Sequence, residues 1–145
     1  MVSDTTAPDL KKTVRCLIAA ERAARGLPKL VRAESLDTAA KRHVKSMIDT
    51  DCLAHRCPGE VDLEKRLRRA GYFDGFTKFR FAESTGCGTT AESMVSSWMA
   101  SAFDRASILD AAFDDVGVSV SQDSSDRLCG AGYGTFAVVF AMRAP

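Results

Sequence analysis

What the chain lacks narrows it first. Its longest apolar run, Phe136 to Met142, is far too short to span a bilayer. The first ten residues, MVSDTTAPDL, contain no apolar core and carry acids early, so they do not read as a secretory signal. Two expectations stay open on that point: a mature form with its signal removed, or a chain that stays in the cytosol. Charge of one sign is also lacking. Twenty Lys and Arg stand against 19 Asp and Glu, a net charge of +1, so no global field favours nucleic acid or an anionic membrane. There is no G-x-S-x-G and hence no nucleophile elbow. Gly130, Gly132 and Gly134 form a G-x-G-x-G with no helix after it, which reads as a turn rather than a dinucleotide fingerprint. Internal repeats and linkers are missing as well.

What is present suits one globular domain. A chain of 145 residues is one domain by length and can bury a full core. Residues 1–8 read as a tail and 9–145 as the domain. Five cysteines, Cys16, Cys52, Cys57, Cys87 and Cys129, are many for a cytosolic domain and an odd number for a secreted one. They allow at most two disulfides and one free thiol. Cys52 and Cys57, close in sequence, are the first choice for a bridge; several buried free thiols are the alternative.

Periodicity predicts helices first and strands last. Asp9 to Arg25 carries Leu10, Val14, Leu17 and Ile18 at helical spacing, with Gly26 and Pro28 ending the run. Ser35 to Thr50 forms a second apolar stripe through Leu36, Ala39, Ala40, Val44, Met47 and Ile48. Glu60 to Ala70 is a short third helix with Leu63 and Leu67 inward; its Lys65, Arg66, Arg68 and Arg69 read as a solvated face. The stretch Tyr72 to Ser84 is irregular, with a weak strand signal at Phe79 and Phe81. Thr89 and Glu92 fit a capping box for the next helix, which carries Met94, Val95 and Trp98 inward. Asp104 to Leu109 reads as a short helix capped by Asp104. Val116, Val118 and Val120 alternate with small polar residues, a half-exposed strand, and Thr135 to Arg143 suits a strand covered on both faces. Helices followed by an antiparallel hairpin argue for an α+β fold with the sheet between helices.

The segment Trp98 to Leu109, WMASAFDRASIL, is similar to W-x-x-S-P-G-H-R-x-x-I-L of bacterial members of the CAP superfamily (cysteine-rich secretory proteins, antigen 5, pathogenesis-related 1; SCP-like). Ala102, Phe103 and Asp104 replace its Pro-Gly-His. Leu17 to Leu27 resembles the family's L-x-N-x-E-R-x-x-x-G-L. Leu53-Ala54-His55 resembles F-x-H, and Arg66 to Tyr72 resembles R-x-x-x-x-G-Y. Ala82-Glu83-Ser84 stands where G-E-N is usual, and Val116 to Val120 where I-G-V-G-V is usual. The order and spacing of these pieces cover nearly the whole domain.

The resemblance implies a three-layer α-β-α sandwich with a small antiparallel sheet, usually secreted and often disulfide-bonded. It also implies a cleft of two His and two acids that binds divalent cations in some members. Other members are reported to bind sterols or fatty acids, and peptidase activity has been claimed for a few. Carried over residue by residue, His55 matches the first His and Glu83 the first acid. Ser101 replaces the second acid and Asp104 the second His. His55, Glu83 and Asp104 are therefore the expected metal set, with Zn²⁺ or Ca²⁺ as the ion. The opposing expectation is that Asp104 caps its helix, Glu83 pairs with a base and His55 is structural. His43 is expected to pack or face solvent. Cys52, His55 and Cys57, with Cys87 as a fourth ligand, make a zinc knuckle a further alternative.

The expected function is that of a secreted or cell-envelope, non-enzymatic CAP domain. It would bind a hydrophobic ligand (sterol or fatty acid) or a protein partner through its groove, as a monomer. The alternative is a divalent-metal-dependent, peptidase-like hydrolase using His55, Glu83 and Asp104. Neither expects nucleic acid or a transmembrane segment.

Overall fold

The computed structural model describes residues 6–124 and 127–145. Its elements run α1 (Ala7–Ala23), β1 (Val31–Arg32), α2 (Glu34–Thr50), α3 (Leu63–Arg69), β2 (Lys78–Gly88), α4 (Ala91–Ala100), α5 (Ala102–Ile108), β3 (Asp115–Ser121) and β4 (Gly134–Ala144). The architecture is α+β, as expected. Helix α1 starts at Ala7, inside the stretch read as tail, with Pro8 in its first turn, where a missing N–H costs nothing. Residues 1–5 of that tail lie outside the described residues. No helix among the described residues is long and apolar enough to cross a membrane.

Strand order is β1-β3-β4-β2. Strands β3 and β4, and β4 and β2, pair antiparallel, whereas β1 pairs parallel with β3. The sheet is therefore mixed, not antiparallel throughout. At two residues, β1 is too short to leave a period in the sequence.

Side-chain alternation on β4 divides the core in two. Phe136, Val138 and Phe140 face a cluster with Leu10, Val14 and Ile18 of α1, Met94, Val95 and Trp98 of α4 and Ile108 of α5. Ala137, Val139 and Ala141 face a second cluster with Leu36, Ala40 and Met47 of α2 and Leu67 of α3. Helices thus cover both faces, as the resemblance implied. Strand β3 is not half-exposed: Val116 to Val120 are all buried. Its Gly and Ser positions face a helix rather than water. A Cβ on Gly117 would lie 2.2 Å from the Leu36 carbonyl carbon and 2.4 Å from the Asp37 nitrogen, so α2 packs backbone to backbone there. Asp37 fixes the contact, its Oδ1 accepting from the Val118 N–H (2.8 Å) and its Oδ2 from Arg32 Nε (2.6 Å).

Two further details differ from the sequence reading. The capping box of α4 is one residue later, at Thr90 and Ser93, each accepting from the other's backbone N–H. Helix α5 starts behind Ser101, which makes Asp104 a first-turn residue and not the cap. Across the other end, buried Arg22 of α1 donates to the carbonyls of Pro28 (3.0 Å), Ile108 and Asp110 (2.9 Å each). It ties α1 to the end of α5.

Gly117→Ala is expected to cost about 3 kcal/mol, the upper part of the overpacking range, because helix backbone must move. Urea unfolding measures it; a loss under about 0.5 kcal/mol, the level of an ordinary surface change, would refute the close-packing account.

Candidate functional site

Strand β2 is an edge strand, and its alternation decides what the site contains. Glu83 pairs with Val139 and Phe81 with Ala141, so both side chains take the α2 and α3 side of the sheet. Ser84 pairs with Val138 and takes the opposite side. Neighbouring residues on one strand therefore serve two different layers.

On the α2 and α3 side, Glu83 is fully buried and meets three cationic or ionisable groups. The Arg66 guanidinium grips it as a fork, Nη1 to Oε2 at 2.8 Å and Nη2 to Oε1 at 3.1 Å. His55 Nδ1 lies 3.1 Å from Oε1, and His43 Nε2 lies 3.5 Å from the same oxygen. A second carboxylate, Glu60, closes the ring. His43 Nδ1–H donates to it, 2.8 and 2.7 Å from its two oxygens, and Arg66 Nε stands 3.7 Å away. The Glu60 Oε1 also accepts from the Cys57 N–H (3.0 Å). His43, Glu60, Arg66 and Glu83 all have side chains at most 6% exposed, whereas that of His55 is 55% exposed.

The segment carrying His55 is held from two directions. A disulfide joins Cys52 and Cys57 on either side of it. Arg66 Nη2 donates to the His55 carbonyl at 2.9 Å. The expected Cys52–Cys57 bridge is thus present, with a second between Cys87 and Cys129, and Cys16 is free. This removes the zinc knuckle, because three of its four ligands are tied up as disulfide sulfur.

The charges hold one another. Burial by itself would raise the Glu83 carboxyl, but hydrogen bonds from His55 and Arg66, with the Arg66 charge, outweigh it and keep it below the ordinary value. The hydrogen bond to Glu83 raises His55 above its ordinary value, against partial burial, with help from the Glu83 and Asp104 charges.

The sequence reading placed His55 and Glu83 together, and the structure joins them. Asp104 is held elsewhere: its Oδ1 accepts from Ser84 Oγ at 2.6 Å, on the far face of the sheet from Glu83. A divalent cation on His55, Glu83 and Asp104 would need their free lone pairs to meet at one point, about 2–2.6 Å from each ligand atom. Here both Glu83 oxygens already accept from Arg66. Among the described residues no group of three or more His, Cys, Asp or Glu side chains is placed to hold a metal ion. The residues as arranged do not fit the ion.

The reading missed His43, Glu60 and Arg66. His43 packs, as expected, but as a wholly buried member of an ion network. Arg66 does not belong to the solvated face given to the run Lys65 to Arg69; it is 4% exposed. The signal was present, since Arg66 falls three residues after Leu63 and next to Leu67, on the inward stripe of α3.

Beside the network a shallow groove of about 500 Å³ follows β2, lined by Arg80, Phe81, Ala82 and Glu83 in succession. Its far wall is Phe103, Ser107 and Phe113, and His55 stands at one end. Phe103 is 60% exposed, with its ring centroid 6.0 Å from that of His55. Arg80 and Asp110 form an ion pair at the rim (2.5 Å).

A model of the cysteine-rich secretory protein (CAP) family matches residues 17–140. Solved structures agree in fold. An outer surface protein of Borrelia burgdorferi has a TM-score of 0.76 at 20% identity, covering 92% of each chain. An extracellular SCP-domain protein of Bacillus anthracis has 0.75 at 20% identity over 92% of this chain and 40% of its own. A cysteine-rich secretory protein of Staphylococcus aureus has 0.65 at 17% identity, over 94% of this chain and 39% of its own. The chain thus spans well under half of the last two. Among curated protein sequences no significant match is found.

Two outcomes follow from the network. Glu83→Ala leaves the Arg66 guanidinium buried without its fork partner and is expected to cost about 3–5 kcal/mol in urea unfolding. The pH dependence has a defined sign. Glu83, held low, stabilises the fold fully above 4.5 and loses that effect as pH falls through its lowered value. His55, held high, contributes fully below 6.5 and loses its effect as pH rises through its raised value. The pair therefore stabilises most between those values. The melting-temperature gap between wild type and His55→Gln should shrink from about pH 5 to about pH 9; a constant gap would contradict the His55–Glu83 bond.

Proposed function

The chain belongs to the cysteine-rich secretory protein (CAP) family, and on that premise we propose that it is a non-enzymatic binding domain whose groove takes an extended, apolar segment of a protein partner. The carrying observation is the course of the groove. It follows the outer edge of β2, whose neighbour in the sheet is β4 alone among the described residues. An edge strand offers unpaired backbone groups to a peptide added alongside it, and flanking pockets take alternate side chains. Phe81, Phe113 and the exposed Phe103 supply apolar walls of that kind. Aromatic side chains of this sort are the usual anchors of protein interfaces.

A small hydrophobic ligand, such as a sterol or fatty acid, is the second reading. The apolar walls favour it, and the open, shallow form weighs against it, because small-molecule sites enclose most of their ligand. Hydrolysis has less support. The Ser84 hydroxyl beside Glu83 donates to Asp104 rather than to His55, so among the described residues no serine is paired with the imidazole as a nucleophile needs. Placement outside the cytosol or in the cell envelope is supported by the two disulfides, which persist in oxidising compartments.

Displayed peptides selected on the domain should be rich in alternating apolar residues. Phe103→Asp should weaken the selected peptides about 30-fold or more, as loss of an interface anchor does. Lipid extracts should give no ligand whose binding depends on Phe103. Selection without enrichment, or affinity indifferent to Phe103→Asp, would overturn the peptide reading; a Phe103-dependent lipid would replace it with the second. Thiol titration of denatured protein without reductant should report Cys16 alone. Titration of all five cysteines would remove the support for an oxidising compartment.

A further inference from the structure

We propose that a second cavity, at the opposite edge of the sheet from the groove, binds a small ligand in which an oxyanion head, carboxylate or phosphate, is joined to a compact apolar group. The cavity has a volume of about 280 Å³ and lies between α1 and the segment that enters β1. Its floor is apolar: Ile18 and Val116 are buried, and Leu30 packs against the same core cluster. Its rim is cationic. Lys12, Arg15, Lys29 and Arg32 stand around it, and among the described residues no carboxylate lines it.

Both walls are set by the fold. On α1, Lys12, Arg15 and Cys16 fall at i, i+3 and i+4 and so share one helix face. Opposite them, Arg22 Nε donates to the Pro28 carbonyl (3.0 Å), and the N–H groups of Val31 and Ala33 donate to the carbonyls of Asp114 (2.8 Å) and Val116 (3.0 Å). These bonds hold Lys29 to Arg32 beside the helix.

Three observations point to an anion. The chain's net charge is only +1, yet four of its cations surround one small cavity. Among the described residues only Arg32 of the four has an acid partner, Asp37 at 2.6 Å. The other three repel one another across a short space, and an anion between them removes that repulsion. Finally, the half-buried Arg15 has its Nη1 buried without a hydrogen-bond partner. A charged donor left unmet costs free energy, and an oxygen seated in the cavity relieves it once the guanidinium turns inward. The volume, at the lower end for small-molecule sites, sets the rest of the ligand. One ring or a short chain fits; a sterol or a long acyl chain does not.

The experiment is calorimetric titration with phenyl phosphate and with benzoate, beside benzyl alcohol and inorganic phosphate, together with the rate of Cys16 alkylation by iodoacetamide in each. Cys16 is an exposed free thiol that lines the cavity, so it reports occupancy. At least one of the two organic anions should bind saturably, one per chain, and slow the alkylation. Benzyl alcohol should not bind, and inorganic phosphate should bind more weakly than phenyl phosphate. Arg15→Gln should weaken the organic anion about tenfold at unchanged melting temperature, the scale of one charge-assisted hydrogen bond. Should Arg15→Gln fail to fold, Lys29→Gln on the opposite wall carries the same test. No saturable binding of either organic anion would overturn the proposal. So would binding that leaves Cys16 alkylation unchanged, affinity indifferent to both substitutions, or inorganic phosphate bound as tightly as phenyl phosphate.

Discussion

Strand β4 is covered on both faces, and the rest of the structure follows from that constraint. A strand with no solvent side must place every residue against a packed layer. Here one face presents Phe136, Val138 and Phe140 and the other Ala137, Val139 and Ala141. The large side chains meet α1, α4 and α5. The smaller ones let α2 lie nearer the sheet, and Gly117 on β3 lets the α2 backbone touch it. Neither layer of helices could bury its apolar stripe without the strand between them. The asymmetry of β4 also sets which layer carries the polar site.

That site depends on register. Because β2 pairs with β4 along its whole length, Glu83 is fixed opposite Val139 and must enter the α2 and α3 layer. A carboxylate brought into a packed layer needs partners, and α2 and α3 supply His43 and Arg66. Glu60, ahead of α3, balances the second imidazole, and the Cys52–Cys57 bridge fixes the loop that brings His55 to the edge. The five groups make a closed circuit in which each buried charge faces an opposite one or a hydrogen-bond donor. Only His55 reaches water. The circuit thus joins a dry interior to the groove, and the groove receives an oriented imidazole rather than a mobile one.

Much of this was legible in the sequence, and the boundary is instructive. The stripes of α1 and α2 and the uninterrupted apolar run of β4 predicted a sheet between helices. The motif order, from Glu21-Arg22 through His55 and Glu83 to the Trp98 segment, pointed to the family. The His55–Glu83 contact and the Cys52–Cys57 bridge were also anticipated. Two errors share one cause, which is that polarity was read as exposure. Gly117 and Ser119 looked like a wet strand face but lie under α2. Arg66 looked like part of a solvated basic run but sits on the inward stripe of α3. His43 was read without a partner because Glu60 is 17 residues away.

The sequence by itself determined the long helices with their apolar stripes, the covered strand β4 and the identity of the family, since these rest on periodicity and on short motifs in fixed order. Only the tertiary structure decided which polar groups meet. Asp104 and Glu83 fall at cleft positions of two separate family motifs, yet strand alternation sends Glu83 to one layer and leaves Asp104 with Ser84 in the other. Arg66 reaches Glu83 because an edge strand and a short helix pack into the same layer, a relation between residues 17 positions apart that no local pattern encodes. A buried charge takes its partner from whatever the packing brings within about 3 Å, and that is a property of the folded chain.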